Sequence, residues 1–400
     1  MLARLWELAV LFFRLGATSF GGPVVYIALM EQETVQRRQW LSREQFLDML
    51  AVTNLLPGPN AVEMANHIGY ARAGLAGCVL AGVAFTFPGA LISGALAWAY
   101  LRYGQTPQVE PFLAGLKPVV VGVVAVALWR LGRTALDRWQ TALIAAAVAA
   151  VSLAGGDEVL TLLGAAVLGA VLLRLAGGGR NGKRPLPADG QQDADRCTFG
   201  QLAPAGVFGY SGIPLAVGGA SGAMAAGSVS VWKLALFFLK VGAVLYGSGY
   251  VLVAYIRGGL VEQCGWLTET QLLDAVAVGQ ITPGPLISTV TFVGYLVAAT
   301  PGAIVATVAI ILPTFFFVGI VRPWIARLRS RPWTSLFLDA VTAASLGLMA
   351  AVTIQLGAAS LGSLVAWLLA IAAVVLTVRW EIAAAWLLLG GAVVGALLGA

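Results

Sequence analysis

Charge is what this sequence has least of. Lys and Arg number 24 and Asp and Glu 18 in 400 residues, 10% in all, where a soluble globular chain carries about 25%. Too few polar residues remain to coat a globule, so a cytosolic enzyme is excluded. Histidine occurs once and cysteine three times. Cys78, Cys197 and Cys264 form an odd, widely spaced set, which argues against a disulfide scaffold and a zinc site. Catalytic signatures are missing as well: no HExxH, no GxxxxGKS/T, no GxSxG, and no GxGxxG after a strand. The net charge of +6 is dispersed over short loops, so there is no nucleic-acid face.

What fills the space is apolar. Hydrophobic residues make up 59%, with 49 glycines besides, and disorder is thereby excluded too. The chain is an integral membrane protein. Its start, MLARLWELAVLFFRLGATSF, has the outline of a signal peptide. The Phe-rich run recurs at Phe237-Phe238, so the start reads as mature structure.

That recurrence belongs to an internal repeat. At an offset of 226, Gly16 matches Gly242, Trp40-Leu41 matches Trp266-Leu267, Asp48 matches Asp274, and Pro57-Gly58-Pro59 matches Pro283-Gly284-Pro285. Between 14 and 59 the match needs no gap, and 16 of 46 positions are identical. One residue then drops out, and Gly69-Tyr70 and Pro88 match Gly294-Tyr295 and Pro313. The expected organisation is a transmembrane repeat at 1–176, a polar and Gly-rich cytoplasmic linker at 177–230, and a second repeat at 231–400.

Each half opens with a long apolar helix broken by glycine, at 5–30 (Gly21-Gly22-Pro23) and 232–256 (Gly247-Ser248-Gly249). A capping-box start follows, Ser42-x-x-Gln45 and Thr268-x-x-Gln271, leading into a helix that stops at PGP. Four apolar runs complete each half: 74–101, 112–129, 139–155 and 159–174, then 299–321, 334–354, 362–378 and 382–399. Basic residues fall in non-equivalent loops, Arg322, Arg327, Arg329 and Arg331 in one half against Arg130, Arg133 and Arg138 in the other. By the positive-inside rule the halves are then inverted. The expected fold is an all-α polytopic membrane protein with inverted repeats, about ten transmembrane helices and two re-entrant PGP segments. Parallel six-crossing halves are the alternative. Small-residue faces are compatible with a homodimer, although no interface stands out.

The PGP pair is the first candidate for a site. Proline frees backbone groups at membrane depth, where only protein or a water-filled cavity satisfies them. A helix starting after PGP offers free amides and a positive dipole end to an anion. Around the two elements lie Asn54, Asn60 and Asn66 in one half, and Gln280, Thr282, Ser288, Thr289 and Thr291 in the other. Against this stands a plain kink with helix-packing polar residues.

Ionisable residues inside apolar runs are the second candidates. Arg14 and Lys240 are equivalent and suggest counter-charges for an anion, with snorkelling to the surface as the alternative. Asp48 and Asp274 take up a proton or pair with those cations, unless they only pack helices. Glu63 and His67, four residues apart, form a proton relay or gate, or His67 is an ordinary internal hydrogen-bonding group. Lys117, just before a proline, reads as near a surface.

Together FFRLGATSFGGP, the W-L-S-x-x-Q-F-L-D helix entry, NLLPGPN, FFLKVGAVLYGSGY and GQITPGP resemble the chromate ion transporter family in its long, two-half form. One departure is Gly247-Ser248-Gly249 where the first half has Gly-Gly-Pro. The resemblance implies a secondary transporter of the bacterial inner membrane that exports chromate and confers resistance, with no cofactor. It points to Arg14, Gly21, Gly22, Asn54, Pro57, Gly58, Pro59 and Asn60, with Lys240, Gly247, Gln280, Pro283, Gly284 and Pro285. A sulfate-like oxyanion carrier and, further off, a membrane-embedded enzyme are the alternatives.

Overall fold

The structure, a computed structural model, describes residues 1–19, 23–53, 56–104, 106, 109–175, 230–246, 249–285, 287–321 and 332–398. Gly21, Gly22, Asn54, Gly247 and the linker apart from Ser230 lie outside the described residues. Among the described residues there are helices and no strands. The first half holds α1 (Leu2–Thr18), α2 (Pro23–Glu31) with a π-helical turn at Gln32–Arg37, α3 (Arg43–Thr53), α4 (Asn60–Tyr103), α5 (Glu110–Ala135), α6 (Trp139–Leu153) and α7 (Glu158–Leu175). In the second are α8 (Val231–Val244), α9 (Val251–Ile256) with a π-helical turn at Arg257–Gln263, α10 (Glu269–Ile281) and α11 (Ser288–Phe316). It closes with α12 (Pro332–Ser360), α13 (Leu364–Trp380) and α14 (Ala384–Leu398). Five of these segments, Asn60–Tyr103, Glu110–Ala135, Glu158–Leu175, Ser288–Ile320 and Trp333–Ser360, are long and apolar enough to cross a membrane. The molecule is an all-α polytopic membrane protein.

The repeat reaches down to single backbone angles. Inside α4, Ala73 and Gly74 leave helical geometry (φ −147° and 65°), and inside α11 Ala298 and Ala299 do the same (φ −145° and 50°). Each long helix is thereby two arms folded back on each other, 60–72 against 75–103 and 288–297 against 300–316. Small residues make the turn feasible: a Cβ on Gly69 would strike the carbonyl of Gly77, and one on Gly294 that of Gly302.

The 5–30 segment, expected as one interrupted helix, folds back as well. Arg4 of α1 lines the same small cavity as Trp40 and Leu41, which follow α2. At about 1.5 Å per residue, helices continuing in one direction would hold those residues tens of ångströms apart. A hairpin α1–α2 and a hairpin formed by α3 and the 60–72 arm therefore enter from one face, marked by Arg4, Trp40 and Arg72.

From that first face the 75–103 arm runs to the other. Leu75 lies against Gly319 at the end of the α11 run, and Tyr100 packs on Phe292, ring centroids 5.4 Å apart. Phe292 is on the 288–297 arm, which ends at the second kink. The two kinks thus sit at opposite faces, and the halves are inverted.

Packing interleaves them. Helix α5 of the first half lies against α13 and α14 of the second, and α12 lies against α6 and α7. Without a hydrophobic drive between helices in lipid, close backbone approach supplies the contact. Gly115 meets the Gly391 carbonyl and Gly347 that of Ala145.

Candidate functional site

Each PGP loop is seated on the other half. The amide of Gly58 donates to the carbonyl of Leu245 at 2.7 Å, and that of Gly284 to the carbonyl of Ser19 at 3.0 Å. Ser19 and Leu245 are themselves equivalent, the C-terminal caps of α1 and α8. Both glycines have positive φ, 148° and 94°, a region that side chains disfavour. Pro57, Pro59, Pro283 and Pro285 are buried and Asn60 half-buried.

Further bonds cross between halves. Tyr26 donates to the carbonyl of Gly284 at 2.5 Å and Ser93 to that of Ser288 at 2.6 Å. Asn66 donates to the hydroxyl of Thr314 at 2.9 Å. Thr282 and Ser288 bridge the second PGP with hydroxyls 2.9 Å apart, and Gln280 accepts from Tyr250 at 3.4 Å. Tyr26, Ser93 and Thr314 were not singled out from the sequence. Thr314 carried a signal: it follows Pro313, so it is the counterpart of Gly89 after Pro88. Gly89 abuts Pro283, and Thr314 abuts Gly58.

Glu63 completes the first loop. It is fully buried, and a Cβ on Gly58 would collide with its carboxyl group. Neither carboxyl oxygen has a hydrogen-bond partner among the described residues. Tyr246 of the second half is within electrostatic reach. His67 is buried one turn further on.

The charged pairs suggested by the sequence are arranged differently. Arg14 and Lys240 are both exposed, on α1 and α8, away from the buried faces that carry Gly16 and Gly242. Lys240 interacts with Asp157, in the loop before α7. Burial raises the Asp157 carboxyl, but hydrogen bonds from Leu160 and Gln263 with the Lys240 charge outweigh it and leave its pKa lowered. Asp48 is exposed on α3. Asp274 is 1% exposed and its cation is neither Arg14 nor Lys240 but Lys117, Nζ to Oδ1 3.9 Å. Tyr100 donates to its Oδ2 at 2.8 Å. Lys117, read from the sequence as near a surface, thus reaches a buried carboxylate while its own side chain stays partly exposed. No group of three or more metal-ligating side chains occurs among the described residues.

A paired, inverted and proline-broken centre of this kind is a carrier's anatomy, and comparison with known proteins says which. The sequence profile described as chromate transporter matches residues 6–170 and 232–396, one half each. The chain belongs to the chromate transporter family.

A probable chromate transport protein of Synechococcus elongatus is 33% identical over 374 residues, 92% of this chain and 88% of that one. The chromate transport protein of Cupriavidus metallidurans is 33% identical over 94% of this chain and 88% of its own length. That of Pseudomonas aeruginosa is 31% identical over 88% and 80%. No solved structure matches significantly. Membership in the chromate transporter family places the chain in chromate transport and in the bacterial inner membrane as a multi-pass protein.

Proposed function

We propose that the protein exports chromate from the cytoplasm by alternating access, with the oxyanion held at the two PGP loops. The reciprocal seating of Gly58 on Leu245 and of Gly284 on Ser19 carries this reading. It seats the loop before α4 and the loop before α11 each against the first helix of the other half, and a helix N-terminus with its positive dipole end favours an anion. Pro57, Gly58, Pro59, Asn60, Gln280, Thr282, Pro283, Gly284 and Pro285 are the residues of this proposed site. Arg14 and Lys240 act from exposed positions, drawing the dianion toward it rather than coordinating it.

The membrane potential is force enough. Moving two negative charges out of a cell gains about 4.6 kcal/mol per 100 mV, roughly a thousandfold in concentration. Glu63 is the residue of choice for any coupled proton, because it is fully buried and neither of its carboxyl oxygens has a hydrogen-bond partner among the described residues.

Radiolabelled chromate flux in everted vesicles, with potential and pH gradient imposed separately and sulfate in excess, tests the reading. Accumulation driven by potential and little affected by sulfate is expected. Equal competition by sulfate turns the protein into a general oxyanion carrier, and no flux by folded protein removes the export reading.

A further inference from the structure

The two halves are related in sequence but not in how tightly their hairpins are held. In the second half, all six residues of α9 are buried, and so is every residue of α10 from Leu272 to Ala277. The equivalent stretch of α3 buries only Phe46 and Met49 and leaves Leu47 and Asp48 exposed. Helix α10 packs on α5, α12 and α14. The second-half hairpin is closed into the bundle, and the first-half hairpin is not.

One cluster fastens the closed hairpin. Asp274 stands in the middle of α10's buried run. Tyr100, near the end of the 75–103 arm, donates to one of its oxygens at 2.8 Å, and Lys117 of α5 lies 3.9 Å from the other. Both partners belong to the opposite half. The lysine contact is an ion pair without a hydrogen bond, since Oδ1 has no hydrogen-bond partner, and the lysine side chain is 23% exposed. The lysine end of the pair is thus less enclosed than the aspartate end, which is 1% exposed. The position equivalent to Asp274, Asp48, is exposed.

We propose that Lys117 and Asp274, with Tyr100, form the lock that keeps the second face shut, and that they separate when the carrier opens to that side. Lys117 is in this view a positioning residue, acting through α10 on the second PGP loop. This rests on the alternating-access reading, but its test does not need chromate to move.

A cysteine is placed at Ala277, fully buried on α10, in a protein whose own Cys78, Cys197 and Cys264 are replaced. Its reaction with a membrane-impermeant maleimide is timed from each side of oriented vesicles. Cys264, exposed beside the second-half hairpin, marks that face in a parallel sample. Lys117→Ala and Asp274→Asn should each speed labelling from the Cys264 side at least ~10-fold, the effect of about 1.4 kcal/mol on an opening equilibrium. Labelling from the other side should stay slow, and the exchange Lys117→Asp with Asp274→Lys should restore much of the protection. Unchanged labelling in Lys117→Ala overturns the lock. Equal acceleration from both sides also overturns it, because it marks a loosened fold rather than an opened face. If the labelling shifts as expected while wild-type protein carries no chromate, the lock stands and the substrate reading alone fails.

Discussion

Gly58 hydrogen-bonds to Leu245 at 2.7 Å, and the equivalent pair, Gly284 and Ser19, repeats the bond at 3.0 Å. Each half thus closes the first helix of the other with its own PGP loop. A rocking motion of one half against the other has to pass through these two contacts.

Gly58→Ala and Gly284→Ala should both cut transport sharply. Each forces a side chain to adopt positive φ, at about 1–3 kcal/mol. At Gly58 the new methyl group also meets the Glu63 carboxyl and Thr314, and at Gly284 it approaches the Gly16 carbonyl at 3.2 Å. Chromate flux and thermal melting of the purified variants check this. Full flux in both would show the loops to be tolerant spacers.

Glu63→Gln separates potential from proton coupling. The variant should keep flux driven by membrane potential and lose any response to an imposed pH gradient. An unaltered pH-gradient response in Glu63→Gln assigns the proton elsewhere.

Arg14→Gln and Lys240→Gln should weaken transport at low chromate by about tenfold, the low end of electrostatic steering, and more so at low ionic strength. Both residues are exposed, so melting should change little. Salt-independent loss of the maximal rate would instead put these charges in the site.

Thr314→Val leaves the Asn66 amide group without its partner in a buried place where Oδ1 has none among the described residues. Stability should fall by about 1–3 kcal/mol. Adding Asn66→Ala should cost less than the sum of the two changes, since one bond is lost only once. A fully additive double variant would show that the contact carries no coupling between halves.

Much of this was legible in the residues. The repeat is explicit in Trp40, Asp48 and the PGP loop with their counterparts, and basic residues gathered in non-equivalent loops indicated inversion. The fold-back of α1 on α2 was not legible, because a glycine break is the same in a kink and in a hairpin, and the cavity that Arg4 shares with Trp40 separates them. Lys117 and Asp274 are far apart in sequence, and no local pattern joins them. Arg14 and Lys240 show the limit of symmetry: their equivalence is real, but it does not say which helix face they occupy. In α1 the buried stripe runs through Leu8, Leu11, Phe12, Leu15 and Gly16, and Arg14 falls outside it.

Potential-driven chromate accumulation in everted vesicles, wild type beside Gly284→Ala at equal amounts of folded protein, tests the central claim most directly. The account predicts accumulation by the wild type that grows with the potential and is nearly lost in the variant. Equal accumulation by both proteins would contradict it, because the oxyanion would then be crossing somewhere other than between the two loops.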